Sequence, residues 1–153
     1  MQKTIHAQLT AFNQGCKKMD IMYHNYAKSV GLSDAAFWIL YCISEHNGVF
    51  TQRDLCSDWS FTPQTVNSAL KLLEKRGVIS LDFLPENRKN KRIRLTQEGT
   101  ALARRVVLPL MQAERDTFAE LTEKERELLL ATTQKHISVL QRKLRALTEA
   151  AER

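Results

Sequence analysis

The sequence predicts a mainly α-helical protein that carries one small β-hairpin. Apolar residues recur every three or four positions through most of the 153 residues, which is the period of an amphipathic helix. Between residues 79 and 95 the apolar period changes to two, which is typical of half-buried strands. Serine or threonine precedes several helical segments, where the hydroxyl can cap the free amides of a helix start.

Two helices are predicted in the first third of the chain. The first covers residues 3 to about 28, and Gly31 breaks it. Ser33 is the predicted N-cap of the second, which should end near residue 47 because Asn and Gly there favour a helix C-cap. Val49 and Phe50 form too short an apolar segment for more than a fragment of strand.

Two shorter helices follow, joined by a turn. Thr51 and Asp54 have the spacing of a capping box and open a helix to about residue 58. Thr62 is the N-cap of the next, with Pro63 at the first helical position, where a missing N–H has no cost. This helix extends to residue 76 and is closed by Gly77.

The hairpin and two long helices complete the predicted order. Two strands should flank a turn at residues 85–90, and the second strand should expose arginines on one face. Thr96 caps the following helix, which Pro109 should kink. Thr122 and Glu125 form a capping box for the last helix. Its apolar stripe consists of Leu128, Leu129, Ile137, Leu140, Leu144 and Leu147.

Charge is concentrated in one part of the chain. The net charge is +6, and residues 71–105 account for all of it, with ten basic residues against four acidic ones. Such a segment favours an anionic partner such as nucleic acid, although a solvated charged face would have the same composition. The three cysteines form no C-x-x-C pair, and no apolar run could span a bilayer. We therefore expect a cytoplasmic protein that holds no metal or cofactor. The chain has five glycines and neither a phosphate-binding loop nor a nucleophile elbow, so we do not expect an enzyme.

The two short helices and the hairpin together predict a winged helix-turn-helix over residues 32–96. Helix 62–76 should enter the major groove of DNA, since its outward residues form hydrogen bonds and are not acidic. The wing, residues 79–95, should reach the minor groove or the backbone. The predicted DNA contacts are Thr51, Gln52, Thr62, Gln64, Thr65, Asn67, Ser68, Lys71, Arg88, Lys89, Lys91 and Arg92.

These segments resemble the MarR (multiple antibiotic resistance regulator) family of bacterial winged-helix transcription factors. The resemblance lies in "LSDAAFWILYCISEHNGVFTQRDLC", "TPQTVNSALKLLEKRGVI" and "RLTQEG". The matching pattern is Thr65-Val66, Leu73-Glu74, Gly77-Val78-Ile79, Leu95-Thr96 and Gly99. This chain departs from the family in having Asn87 and Lys89 where the wing usually has Asp and Arg, and Leu81 where an Arg often follows the Gly-Val-Ile turn. The extra cations at 88, 91 and 92 would then act through attraction to phosphates.

The resemblance implies a homodimeric repressor that a small molecule releases from a pseudo-palindromic operator. Residues 1–30 and 97–153 would form the helical dimerisation region, in agreement with their long apolar stripes. A winged helix used as a protein-interaction module is the alternative function.

The expected effector pocket or redox site lies near the first two helices. Its candidate residues are Cys16, Asp20, Tyr23, His24, Trp38 and Tyr41. Cys16, Asp20 and His24 follow one helical face, so Cys16 is either a redox-sensing thiol or a small apolar residue in packing. Aromatic side chains at helical spacing line a pocket or simply fill a core.

Overall fold

Five of the described helices begin directly after hydroxyl residues that the sequence predicts as caps. The computed structural model describes residues 4–46, 50–58, 61–84 and 87–151, without the side chains at 58, 84 and 87–90. The elements are α1 (Ile5–Ser29), α2 (Asp34–Glu45), β1 (Phe50–Thr51), α3 (Gln52–Asp58), α4 (Pro63–Lys75), β2 (Ile79–Leu84), β3 (Asn87–Leu95), α5 (Gln97–Val106), α6 (Leu108–Ala119) and α7 (Glu123–Ala151). The predicted end of the second helix near residue 47 and the strand start at Val49 lie outside the described residues.

Local capping explains where α2, α4 and α5 start. The hydroxyls of Ser33, Thr62 and Thr96 accept the amides of Ala36, Thr65 and Gly99, at 3.3, 3.2 and 3.0 Å respectively. Each bond satisfies an amide that has no partner within its own helix. The predicted caps of these helices are therefore confirmed.

The strands form a three-stranded antiparallel sheet in the order β1-β3-β2, so β3 is central. Phe50 of β1 pairs with Ile93, which also pairs with Leu81 of β2. The predicted turn at 85–90 was too long, because residues 87–90 already belong to β3. Their polar side chains suggested a loop, whereas a strand is defined by backbone pairing. The register is irregular at this end, where Phe83 pairs with Lys91 and Leu84 with Asn87.

The core of the first compact unit, residues 1–110, lies among α2, α3, α4 and the sheet. Its fully buried side chains include Phe37, Ile39, Leu40, Leu55, Val66, Leu70 and Leu73. Tyr26 of α1 donates a hydrogen bond to the carbonyl oxygen of Val106 at 2.8 Å. Thus α1 and α5 lie in the same unit as the winged elements, whereas the sequence grouped them with the C-terminal helices.

Two glycines fix the path of the chain around β2. Gly77 has a φ of 69°, a left-handed conformation that disfavours residues with a Cβ, and it ends α4. Gly99 allows α5 to approach β2 closely, since a Cβ there would lie 1.9 Å from the carbonyl oxygen of Val78. Thr96 reinforces this approach by donating its backbone amide to the same oxygen at 3.1 Å. The glycine three residues after Thr96 therefore has a steric explanation.

The kink predicted at Pro109 is an interruption between helices at Val107. Proline has no N–H to donate to the carbonyl four residues before it, so the helical hydrogen-bond series is interrupted here. The chain resumes as α6, in which Pro109 occupies the second position.

The second compact unit, residues 111–153, contains most of α6 and all of α7. The predicted capping box is confirmed: Glu125 accepts the Thr122 hydroxyl at 2.7 Å and the Thr122 amide at 2.8 Å. The hydroxyl bond, followed by the amide bond, lowers the pKa of Glu125 because both favour its ionised form. Arg126 closes the α6–α7 turn by donating to the carbonyl oxygens of Phe118 and Leu121. Among the residues that the structure describes, none of the helices combines the length and hydropathy needed to span a bilayer.

Candidate nucleic-acid interface

The outward face of α4 presents a row of polar side chains. Val66, Leu70 and Leu73 hold the opposite face of the helix in the core. Because side chains follow a 3.6-residue period, this anchoring turns the remaining positions towards solvent. The exposed residues of this row are Gln64, Thr65, Asn67, Ser68 and Lys71. The structure thus brings the predicted contacts on this helix together on one surface.

Asn67 is held by a residue from the preceding helix. Nε2 of Gln52, at the first position of α3, donates to Oδ1 of Asn67 at 2.7 Å. This bond restricts the Asn67 amide, and the NH₂ group of the same amide can still donate to another acceptor. The sequence placed Gln52 and Asn67 in the same site but gave no sign of this contact, which joins residues 15 positions apart.

The two threonines at the helix starts behave differently from the exposed row. Thr51 is only 6% exposed, and its hydroxyl donates to Oδ2 of Asp54 at 2.8 Å. Its hydroxyl therefore caps α3, and the contact of Thr51 with DNA stays a prediction. Thr62 is exposed, and its hydroxyl oxygen lies 2.8 Å from that of Thr65. Thr62 consequently remains on the surface at the start of α4.

A shallow groove of about 410 Å³ runs along the outer face of α4. Gln64, Thr65 and Ser68 form one side of it, and Ser33 and Ala35 at the start of α2 form the other. The polar row on α4 is therefore flanked by a concave surface and does not stand alone as a ridge.

The wing cations are not equivalent. Arg92 lies within β3, paired with Thr51 on one side and Asp82 on the other. Its side chain is 27% exposed, with NH2 3.9 Å from Oδ2 of Asp82. Within the described part of the chain its Nε is buried without a hydrogen-bond partner. Arg92 is thus drawn into the sheet because its cross-strand partner is an acid.

Asp82 also binds a second arginine. Its Oδ2 lies 3.4 Å from Nε of Arg94, which is exposed. Asp82 therefore links β2 to two arginines of β3 and stabilises the outer face of the hairpin. Sequence reasoning missed this role, although the strand alternation places residues 82, 92 and 94 on a common face. The backbone of Arg88 and Lys89 belongs to β3, and the structure does not describe their side chains.

The last predicted wing contact, Lys91, packs on an aromatic ring. Its Nζ lies 5.2 Å from the ring centroid of Phe83, its cross-strand partner. Phe83 is 61% exposed and was not among the predicted contacts. Its alternation with Ile79 and Leu81 was the signal that could have placed it at the end of the apolar face.

The candidate effector residues are only partly clustered. Tyr23, Trp38 and Tyr41 form a half-buried aromatic group, with ring centroids 5.0 Å apart for Tyr23–Trp38 and 5.2 Å apart for Trp38–Tyr41. His24 contacts an acid of α2 instead, with its Nδ1 3.0 Å from both carboxylate oxygens of Asp34.

Cys16 is half-buried in α1, and Asp20 is exposed. Over residues 4–46, 50–58, 61–84 and 87–151, no group of His, Cys, Asp and Glu side chains could hold a metal ion. The three residues that share a helical face in the sequence therefore do not converge on a metal site.

The comparisons with known proteins agree with this geometry. Residues 30–92 match the model of the MarR family, and no curated protein matches the chain significantly. The MarR family regulator NMB1585 from Neisseria meningitidis is 22% identical, with a TM-score of 0.75 over 90% of this chain and 96% of that one. S. aureus MepR in its DNA-binding conformation is also 22% identical, with a TM-score of 0.74 over 87% of this chain and 98% of that one. S. aureus MepR in a DNA complex is 21% identical, with a TM-score of 0.68 over 91% of this chain and 99% of that one.

Proposed function

We propose that this chain, which belongs to the MarR family through residues 30–92, is a homodimeric transcriptional regulator that binds an operator in double-stranded DNA. The observation that carries the proposal is the exposed polar row on α4 beside a positively charged hairpin. A helix of this kind fits the major groove, whose base edges offer hydrogen-bond donors and acceptors. The similar MepR protein has been solved in a complex with DNA, which supports the same partner here.

The residues of the row have different roles in this proposal. Asn67, restrained by Gln52, reads a base edge, because a fixed amide loses little freedom on binding. Gln64, Thr65 and Ser68 contact neighbouring bases or phosphates. Lys71 contacts a phosphate and therefore contributes to affinity without selecting sequence.

The homodimer is supported by apolar side chains that the single chain leaves in solvent. On α1 these include Ile5, Phe12, Met19 and Met22, and on α7 they include Leu128, Leu144 and Leu147. Stripes of this length rarely remain exposed in a soluble protein, because burying them stabilises an assembly. Residues 1–30 and 97–153 therefore supply the dimer contacts, and residues 32–96 supply the winged domain. Two winged domains in one dimer would read half-sites about one helical turn apart.

Relief by a small molecule is the regulatory part of the proposal. The half-buried group of Tyr23, Trp38 and Tyr41 joins α1 to α2, so an aromatic ligand that packs there would shift α1 against the winged domain. A thermal-shift screen followed by DNA titration tests this idea. Compounds that raise the melting temperature should weaken DNA binding and quench the fluorescence of Trp38, and Trp38→Phe should abolish that quenching. Stabilising compounds that leave DNA affinity unchanged would contradict it.

Fluorescence anisotropy with duplexes selected from a random-sequence library tests DNA binding directly. Binding should weaken steeply with salt, as expected when phosphates release counterions. Asn67→Ala should reduce discrimination at one base position by about 1–3 kcal/mol, whereas Lys71→Ala should weaken all sequences equally and reduce the salt slope by about 1. Lys124→Ala removes a charge from the C-terminal unit and should change neither quantity. Failure to enrich any sequence, together with a flat salt response, would refute the proposal.

A further inference from the structure

Phe83 extends the apolar face of the wing beyond the core. Alternate residues of a strand share one face, so Ile79, Leu81 and Phe83 point to the same side of β2. Along this face Ile79 is 2% exposed, Leu81 is half-buried and Phe83 is 61% exposed. The hairpin therefore leaves the core between Leu81 and Phe83, and the phenyl ring is the first side chain beyond that point.

The strand itself does not require an aromatic ring at this position. A polar β-branched residue such as threonine is equally suited to an exposed strand site, and it would not place apolar surface in water. The ring instead makes a cation–π contact, with Nζ of Lys91 5.2 Å from its centroid. This cation–π contact restrains an exposed ring on a hairpin whose register is irregular one residue further on.

The charge around the ring indicates the partner. Lys91, the cross-strand partner of Phe83, lies on the ring's own face and carries the charge nearest to it among the described side chains of the hairpin. The nearest acid in β2, Asp82, points to the opposite face and is occupied by Arg92 and Arg94. An exposed apolar ring beside a cation complements a DNA minor groove, since base edges form its floor and sugar–phosphate chains form its walls.

We propose that Phe83 is a wedge that enters the minor groove beside the major-groove site and partly unstacks one base step, thereby kinking the DNA. This inference rests on the proposed function, because it requires the wing to lie on DNA. Lys91 leaves the ring as it inserts and binds a flanking phosphate. Unstacking is easiest at TA and CA/TG steps, so the wing would select a flexible step without any hydrogen bond to a base.

The test compares the full-length protein with Phe83→Gln, Phe83→Leu and Lys91→Gln on a duplex enriched from a random-sequence library. Energy transfer between dyes at the duplex ends measures the bend, and 2-aminopurine at pyrimidine–purine steps reports unstacking. The wild type should bend the duplex by about 20° or more and raise the 2-aminopurine signal at one step. Phe83→Gln should lose both effects and bind about 5- to 20-fold more weakly.

The other two variants separate the wedge from simple charge or folding effects. Phe83→Leu keeps an apolar side chain and should retain most of the bend, whereas Lys91→Gln should retain the bend but reduce the salt slope by about 1. If Phe83→Gln bends and unstacks the duplex like the wild type, the wedge is refuted while DNA binding stands. If the wild type enriches no duplex, both the wedge and the proposed function are refuted.

Discussion

The helices α4 and α7 both carry apolar stripes, but they bury them to very different extents. In α4 the stripe residues Val66, Leu70 and Leu73 are at most 2% exposed. In α7 no described residue is buried, and Leu128 and Leu147 are 64% and 67% exposed. The same sequence period thus occurs in a helix whose apolar side is buried within its own chain and in a helix whose apolar side is exposed. Periodicity shows that a helix has an apolar side, but it does not show which chain will cover it.

The largest expected effect comes from charging the α7 stripe. The double substitution Leu140→Asp and Leu144→Asp should convert the proposed dimer to a monomer, because carboxylates are costly to bury in an apolar contact. Binding to a two-half-site duplex should weaken by about 100-fold or more once the two winged domains are no longer linked. Analytical ultracentrifugation measures the first effect, and anisotropy titration measures the second.

Ser138→Asp provides the matched control for the charged α7 variant. Ser138 is two residues from Leu140 and therefore about 160° away around the helix. The substitution Ser138→Asp adds a carboxylate to the same helix on the other side, so the proposed dimer should persist. If the charged variant still sedimented as a dimer, the apolar stripe of α7 would not form the dimer contact.

A smaller but clear effect should follow from Gly99→Ala in the winged domain. The added Cβ would meet the Val78 carbonyl oxygen at 1.9 Å, so the contact between α5 and β2 must open. The free energy of unfolding should fall by about 2–3 kcal/mol, as measured by urea denaturation. Gly15→Ala is the control, since no atom lies within 4 Å of its Cβ position and α1 should gain about 0.5–1 kcal/mol. Equal stability of the two variants would contradict the close packing of α5.

The contact between α3 and α4 should affect recognition more than stability. Gln52→Ala removes the hydrogen bond to Asn67 and should lower base discrimination by about 0.5–1.5 kcal/mol. Selection and sequencing of bound duplexes measures this loss at the position that Asn67→Ala also relaxes. Gln97→Ala, an exposed glutamine at the start of α5, should leave the selected sequence unchanged. If Gln52→Ala relaxed the selection at a different base position from Asn67→Ala, Gln52 would not act through Asn67.

The smallest expected effect is a pH dependence at the start of α7. The pKa of Glu125 is lowered in the folded chain by its bonds to Thr122, so the carboxylate stabilises the helix when ionised. This contribution is fully present above the ordinary glutamate pKa and is lost as the pH falls through the lowered value. Thr122→Val should therefore reduce the melting temperature at neutral pH and have less effect in acid. Glu127→Gln is the control, and an effect of Thr122→Val that did not change with pH would contradict the assignment.

The sequence predicted those features that depend on nearby residues. Hydroxyl caps at Ser33, Thr62, Thr96 and Thr122 act within three residues, so local spacing identified them. Thr51 follows the same local rule, since its hydroxyl donates to Asp54 at the start of α3. Contacts between distant segments were not predictable from spacing alone. They include Phe50 with Ile93 and Gln52 with Asn67, which form only once the helices and strands pack together.

The stoichiometry of the protein–DNA complex tests most directly whether the winged domain reads DNA while the exposed stripes assemble two copies. Sedimentation of the full-length protein with its selected duplex gives the mass of the saturated complex. The saturated complex should contain two chains per duplex, on half-sites about one helical turn apart. A saturated complex with one chain on a single unrepeated site would contradict it.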